Sequence, residues 1–289
     1  TASAKQAEYQ KKNMGKTVTQ FEMLKQLELS KSDFRSLKDY SDKKGIIFLS
    51  TPFDIESADF LNSLKVPLFK ISSGDLTNLP FLKQIAGFKK PLILSTGMSG
   101  LKEVSEAVHE ILDINKKLVL LHCVSNYPCR YEDINLRSIQ TLRDKFKLIT
   151  GYSDHSQGIN IPIAAAALGA AVIEKHFTLD TSLPGPDHKA SITPEQLKKM
   201  VEGIRQVEQA LGTGKKMPVK SEEEVKKLVR KSIIAVRDLN TGEKITSDDL
   251  EIKRPGTGIE PKYINKVLGS IVKKKIKSGE PVQWSNLKK

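Results

Sequence analysis

Two neighbouring stretches decide the fold, FKLITGYSDH at residues 146–155 and AAVIEKHF at residues 170–177. In each, a short apolar run ends in polar residues, and a helical pattern at 161–168 separates the two. The same rhythm fills residues 46–177 and predicts six consecutive strand–helix units with parallel strands. The predicted strands are 46–49, 66–71, 91–94, 118–123, 146–150 and 170–174.

Two folds share this rhythm, a closed α/β barrel and a doubly wound open sheet. No GxGxxG turn follows the first apolar run, and polar residues recur at the end of run after run. In a barrel these strand ends converge on one mouth, whereas in an open sheet they are strung along an edge. The pattern therefore favours the barrel.

The pattern of residue types in the sequence changes near residue 212. A helical pattern that opens with Thr193 and Pro194 runs to about Leu211, and a Gly- and Lys-rich stretch follows. Further on, short β-like runs alternate with turn pairs. We predict a barrel domain at 1–212, a linker at 213–230 and a compact, loop-rich β-type domain at 231–289.

Composition limits the partners and the compartment. The net charge of +13 comes mostly from scattered lysines, without clusters of arginine and aromatic residues that read bases, so a solvated surface fits better than a nucleic-acid patch. The longest apolar run, 161–173, is too short to cross a membrane. With Cys123 and Cys129 as the two cysteines and no secretory signal, we expect a cytoplasmic protein that binds neither nucleic acid nor membrane.

His155 and His176 each follow a predicted strand, one strand–helix unit apart. On adjacent barrel strands both imidazoles reach the same mouth. They predict either a partial divalent-metal site, completed by water or substrate, or two hydrogen-bonded structural histidines, and spacing does not decide between these. His109 falls within a helical pattern and His122 within a strand, so we expect a surface and a core position.

Hydroxyl side chains end one predicted strand after another. They are Thr51, Ser73, Ser95, Ser125 and Ser153. A single serine of this kind only caps the next helix. Five in succession, with Lys70 on the strand of Ser73, suit a phosphate or carboxylate, whose oxygens need several donors. We expect an anion site here, with capping as the alternative for individual residues.

Acidic residues follow the same strand ends. Asp75, Asp154 and Asp187 can bind sugar hydroxyls or move protons. Asp187 lies in a rigid polar loop, LPGPDHK at 183–189, that follows the last strand. Cys123 sits on an apolar strand without a basic partner, so we expect it to pack rather than to attack a substrate.

Eight sequence strings make the pattern specific. They are STPF (50–53), FKISSGD (69–75), LSTGM (94–98), LHCVSNYP (121–128), GYSDHS (151–156), IEKHFTLD (173–180), LPGPDHKAS (183–191) and KRPGTG (253–258). In this order they resemble the sialic-acid synthase family, which includes N-acetylneuraminate and legionaminate synthases, over essentially the whole chain. The last domain resembles the antifreeze-like (SAF) domain of those enzymes.

The resemblance implies a transferase that condenses phosphoenolpyruvate with an N-acetylmannosamine-type aldehyde, releasing phosphate by C–O cleavage and giving a nine-carbon sialic acid. It implies a divalent metal, usually Mn²⁺ with Mg²⁺ or Co²⁺ as alternatives, at His155 and His176, which are catalytic together with Asp75. The implied phosphoenolpyruvate contacts are Thr51, Lys70, Ser73, Ser95, Ser125 and Ser153. The implied sugar contacts are Asp75, Tyr127 and Asp187. Arg254 matches an arginine that reaches from one subunit's SAF domain over the partner's barrel, which implies a homodimer.

This sequence departs from the family in two ways. Asp75 stands where many members have glutamate, and the shorter side chain changes how a sugar hydroxyl is held. The family also carries two further strand–helix units ahead of the six counted here, where a closed barrel has eight. We therefore expect a (βα)8-type TIM barrel lacking its first two βα units in this chain, and little or no activity from the chain alone.

Other interpretations remain open. Another phosphoenolpyruvate-condensing or metal-dependent barrel aldolase is disfavoured by the polar strand ends and the KRPGTG string. A carbohydrate- or ice-binding protein is suggested by the SAF-like domain, but the lysines crowded at 273–277 disfavour an ice surface. The acceptor can be N-acetylmannosamine, its 6-phosphate or a 2,4-diacetamido-6-deoxy analogue, because pocket shape decides between such neighbours.

Overall fold

The computed structural model of the chain describes residues 10–11 and 19–288. Its centre is a parallel sheet whose strand order follows the chain order without reversal. This singly wound order is typical of a barrel and differs from the doubly wound fold, so the sheet is a parallel half-barrel. Its strands are β1 (Phe69–Ile71), β2 (Leu92–Ser95), β3 (Leu118–Cys123), β4 (Ile149–Asp154) and β5 (Ile173–Lys175).

Helices precede and separate these strands. The helices before and between the strands are α1 (Gln20–Leu27), α2 (Lys31–Lys44), α3 (Ile55–Ser63), α4 (Leu79–Gly87), α5 (Leu101–Leu112), α6 (Ser138–Phe146) and α7 (Asn160–Ala167). One more helix, α8 (Pro194–Leu211), follows the last strand. Their starts follow from local chemistry. The Ser30 hydroxyl accepts a hydrogen bond from the Asp33 N–H at the start of α2, and Gly45 ends that helix at φ +69°. Thr193 and Gln196 form the predicted capping box of α8.

The strand faces divide into a core side and a mouth side. Side chains alternate along each strand, and Phe69, Leu92 and Leu120 point to the helices, where they are fully buried. Residues one step along point into the half-barrel, and the register aligns Ser95 with Leu121 and Cys123 with Ser153. The last inward-pointing side chains of neighbouring strands therefore lie close together at the carboxyl ends of the strands.

Four predicted strand positions are corrected, the first being the strand predicted at 66–71, which begins at Phe69 as β1. Residues 46–49 form no strand, and Ile46 and Ile47 are both about two-thirds exposed, so the sheet has five strands among the described residues instead of six. β4 starts at Ile149 because Lys147 still belongs to the end of α6. Its φ is +55°, and its backbone N–H donates a hydrogen bond to the Arg143 carbonyl. β5 likewise starts later than predicted, after the turn at Gly169.

The chain divides into two compact units between Thr213 and Gly214. The second unit contains two antiparallel strand pairs around its own core. Its elements are α9 (Glu223–Val229), β6 (Ser232–Ala235), β7 (Leu250–Lys253), α10 (Ile264–Val267), β8 (Ile271–Val272) and β9 (Leu287–Lys288). The segment predicted as a linker thus carries a helix, α9. Among the described residues, no helix has the length and apolar character needed to cross a membrane.

Candidate active site

A cavity of about 690 Å³ lies at the carboxyl ends of the parallel strands. Nine residues predicted from the sequence line it together. They are Thr51, Lys70, Ser73, Ser95, Ser125, Tyr127, Ser153, His155 and His176. Strands β1 to β5 all contribute, either directly or through the residues that follow them, because their carboxyl ends meet on one side of a half-barrel.

Lys70 is a buried cation inside this cavity. It points inward from β1, and only 9% of the residue is exposed. Its ammonium donates to the Ser95 hydroxyl at 2.8 Å and to the Ile71 carbonyl at 3.0 Å, and lies 3.5 Å from a Glu174 carboxylate oxygen. A charge removed from water in this way interacts strongly with an incoming anion.

Two hydroxyls converge on Gly97, just after β2. The Gly97 N–H donates to the Ser73 hydroxyl at 3.0 Å. A Cβ on Gly97 would lie 2.4 Å from Ser125 Oγ and 2.9 Å from Ser73 Oγ, closer than atoms pack. Glycine at this position therefore leaves room for both hydroxyls beside its backbone. Our sequence interpretation did not single out Gly97, although it lies in the quoted LSTGM string.

The two histidines lie next to each other in the lining of the same cavity. His155 Nδ1 lies 2.7 Å from the Val124 carbonyl oxygen, so Nδ1 carries the proton and Nε2 keeps its lone pair. Burial lowers the pKa of His155, which favours the neutral form. The ring centroids of His155 and His176 are 5.3 Å apart, and the Tyr127 ring lies 3.9 Å from that of His155.

This donor set fits a partial metal site. Within the described part of the chain, no group of three or more His, Cys, Asp or Glu side chains is placed to hold a metal ion. Two neighbouring imidazoles, one with its tautomer fixed by a carbonyl, are suited to a divalent metal whose remaining positions are taken by water or substrate.

Glu174 is a site residue that the sequence interpretation missed. It lines the cavity, and its carboxylate accepts a hydrogen bond of 2.5 Å from the Ser153 hydroxyl. The register places it beside Ser153 on the inward face. The available signal was a charged residue inside an apolar strand.

Four predicted acidic or basic residues do not line this cavity. Asp75 lies on the turn after β1, accepts from the Asn78 amide at 3.4 Å, and burial raises its pKa. Asp187 lies 3.7 Å from His176 Nδ1, and its Oδ1 is buried without a hydrogen-bond partner. Arg254 belongs to the second unit. The expectation that Asp154 serves the mouth is wrong, because strand alternation turns it outward to an ion pair.

Two other histidines and the two cysteines were also discussed from the sequence. His109 is on the exposed face of α5, as predicted. His122 packs outward from β3, with Nε2 2.6 Å from the Ile134 carbonyl oxygen. Cys123 and Cys129 are free thiols and buried, and burial raises the pKa of Cys129 to about 11. Cys123 also borders the cavity.

A half-barrel with a buried lysine, convergent hydroxyls and paired imidazoles at its strand ends has its polar groups where barrel enzymes have their active sites. Residues 1–216 match the NeuB family, and residues 230–288 match the SAF domain. The chain belongs to the NeuB family and carries a C-terminal SAF domain.

Several characterised proteins are similar to this chain. N,N'-diacetyllegionaminic acid synthase of Legionella pneumophila is 48% identical, over 99% of this chain and 82% of that protein. Human N-acetylneuraminate-9-phosphate synthase is 36% identical, over 84% of this chain and 67% of that protein. Among solved structures, the N-acetylneuraminic acid synthetase of Leptospira borgpetersenii in complex with citrate is 41% identical with a TM-score of 0.68, covering 71% of this chain and 72% of that one.

Proposed function

We propose that this chain condenses phosphoenolpyruvate with the open-chain aldehyde of an N-acetylated amino sugar of the mannosamine type, giving a nine-carbon acidic sugar and phosphate. The relatives named above as legionaminic acid and N-acetylneuraminate-9-phosphate synthases support this. The observation that carries the proposal is a single cavity in which Lys70, several hydroxyls and two imidazoles face one another.

Lys70 and the hydroxyls of the cavity suit phosphoenolpyruvate. This substrate carries a phosphate and a carboxylate, and its oxygens need several hydrogen-bond donors. Lys70 supplies a buried positive charge, and Ser73 and Ser125 supply hydroxyls that converge at Gly97. The further donors proposed are Thr51, Ser95 and Ser153.

The two imidazoles suit a divalent metal, with Mn²⁺ as our first expectation and Mg²⁺ or Co²⁺ as alternatives. Bound there, a metal supplies Lewis-acid polarisation of the aldehyde oxygen and a site for water. His155 would offer Nε2, whose direction is set by the hydrogen bond from Nδ1 to the Val124 carbonyl. His176 would offer the second nitrogen, with Asp187 close to its Nδ1.

The sugar is proposed to lie beside the phosphoenolpyruvate and metal positions. Tyr127 packs against His155, and its hydroxyl is proposed to contact the sugar. Asp187 and Asp75 are proposed to accept sugar hydroxyls. We also propose a homodimer in which Arg254 of the partner subunit completes the sugar site, an arrangement that rests on the family resemblance. The two free cysteines fit a reducing cytoplasm as the place of action.

The proposed reaction balances without a redox partner. C3 of phosphoenolpyruvate attacks the aldehyde carbon, and the aldehyde oxygen takes up a proton. Water adds to C2 and gives up that proton. The bond between C2 and the bridging oxygen then breaks as the new C2 hydroxyl loses its proton and becomes the ketone. Phosphate leaves with the bridging oxygen and takes up that proton.

Phosphate release is the direct test. The chain is incubated with phosphoenolpyruvate, Mn²⁺ and a panel of N-acetylmannosamine, its 6-phosphate and a 2,4-diacetamido-6-deoxy analogue. Phosphoenolpyruvate carrying ¹⁸O at the bridging position should give labelled phosphate. Because weak turnover is expected of the chain alone, calorimetric binding of phosphoenolpyruvate is measured beside it. Turnover with erythrose or arabinose phosphate instead, or neither binding nor turnover, would contradict the proposal.

A further inference from the structure

The last register position that β4 and β5 share joins Asp154 to Lys175. The next residue is a histidine on both segments, His155 after β4 and His176 after β5. The two imidazoles therefore leave the sheet from adjacent strands at one level. Whatever fixes the position of Asp154 against Lys175 also fixes the backbone from which both rings project.

Asp154 and Lys175 point away from the cavity. The residues before them, Ser153 and Glu174, line it, and successive side chains on a strand face opposite sides. On the outer face the carboxylate and the ammonium form an ion pair of 2.6 Å, with the two side chains 0% and 3% exposed. Since neither lines the cavity, an effect on bound ligands has to pass through their neighbours.

The pair also fixes the backbone on the far side of His155. Asp154 Oδ1 accepts hydrogen bonds from the Ser156 N–H at 3.0 Å and from the Tyr152 hydroxyl at 3.1 Å. The Lys175 ammonium donates to the Ser156 carbonyl. His155 thus lies between two residues that the ion pair holds, and one of the holding groups comes from the strand that carries His176.

Stability alone does not account for this pair. Two charges taken out of water lose hydration that their attraction only about repays, and neutral pairs of similar volume are often as stable. Removal of a single partner differs, because it leaves an uncompensated buried charge. A neutral pair of similar shape therefore separates a role in folding from a role in geometry.

We propose that the buried Asp154–Lys175 ion pair is a positioning pair that sets the spacing of His155 and His176 for a divalent cation. This rests on the proposed function, because it takes the two imidazoles to be metal ligands. Groups that orient ligands in this indirect way typically change metal affinity by about 10- to 100-fold when removed.

The test is the double variant Asp154→Asn with Lys175→Met. It removes both charges and keeps an oxygen for the Tyr152 hydroxyl and the Ser156 N–H, while the Ser156 carbonyl loses its donor from Lys175. The metal-free chain should still unfold cooperatively, at a somewhat lower temperature, when followed by circular dichroism. Mn²⁺ affinity, measured from the electron paramagnetic resonance of free Mn²⁺, should fall by about tenfold or more. The absorption spectrum of bound Co²⁺, which reports ligand geometry, should change.

A merely structural role predicts a different result. Unchanged Mn²⁺ affinity and an unchanged Co²⁺ spectrum in the folded double variant would overturn the proposal. If the double variant does not fold, Asp154→Glu decides instead. It keeps the charge but lengthens the side chain, so it should weaken Mn²⁺ binding, and affinity equal to that of the unmodified chain would again overturn the proposal.

Two further variants separate this proposal from the proposed metal site. His176→Ala should abolish Mn²⁺ binding, and if it does not, the proposed metal site fails before the positioning pair is in question. Asp249→Asn is the matched control, because it removes the carboxylate of a 2.8 Å ion pair with Arg237 in the second unit. Both metal readouts should be unchanged in that variant.

Discussion

Gly97→Ala is the sharpest test of the proposed anion site. The new methyl group would lie 2.4 Å from Ser125 Oγ and 2.9 Å from Ser73 Oγ, so the Ser125 hydroxyl has to move by about 1 Å to reach ordinary contact. The backbone of Gly97 is not in the left-handed region, so the strain is only steric. Overpacking of this kind costs about 1–3 kcal/mol of unfolding free energy.

Gly97→Ala should reduce the free energy of phosphoenolpyruvate binding at least as much as it reduces the free energy of unfolding. A hydrogen bond to a charged group contributes about 1.5–3 kcal/mol. Displacing both hydroxyls therefore costs about 3 kcal/mol or more, which corresponds to at least about 100-fold in Kd. Isothermal titration calorimetry with phosphoenolpyruvate measures Kd, and urea unfolding measures stability in the same preparation.

Gly87→Ala is the matched control for this substitution. Gly87 is the last residue of α4, and a Cβ there meets nothing within 4 Å. Its stability should be unchanged or slightly raised, since alanine favours helix more than glycine does, and its Kd should be unchanged. Adding Ser125→Ala to Gly97→Ala should restore most of the stability but not the affinity. Binding by folded Gly97→Ala within threefold of the unmodified chain would refute the assignment.

Further outcomes are expected at four other positions. Lys70→Met should weaken phosphoenolpyruvate about 100-fold and the sugar little, with Lys83→Met on α4 as the exposed control; equal losses for both ligands would contradict the assignment. His155→Ala should remove Mn²⁺ binding, measured by calorimetry. Arg254→Ala should weaken sugar binding more than phosphoenolpyruvate binding, and the reverse order would argue against the proposed dimer. A hydrogen bond from the Thr246 backbone, more than the nearby Arg237, holds the pKa of Asp249 below its usual value. That carboxylate therefore stabilises the fold above the unfolded pKa of about 4 and stops doing so as pH falls through its lower folded pKa. Asp249→Asn should cost about 1–2 kcal/mol at neutral pH, and the difference should shrink as pH falls below about 4, in urea unfolding followed by Trp284 fluorescence.

Local signals predicted the ends of several elements. α8 begins where the sequence places it, since the capping partners are three residues apart and no distant contact is needed. β3 has the predicted bounds, Leu118–Cys123. Residues 46–49 have an equally apolar pattern but are not a strand. A strand requires a hydrogen-bonded neighbour, which lies far away in the sequence, so composition alone could not decide this case.

The sequence by itself determined which chemical groups gather at the strand ends: Lys70, the hydroxyls and the histidine pair. It did so because parallel strands of one barrel present their carboxyl ends together. Only the tertiary structure decided the faces, with Glu174 turned into the cavity and Asp154 turned out to Lys175. Successive side chains on a strand face opposite sides of the sheet, so a shift of one residue in the predicted register exchanges the inward and outward residues. The register is fixed by pairing with strands that are distant in the sequence, so the sequence alone did not decide it.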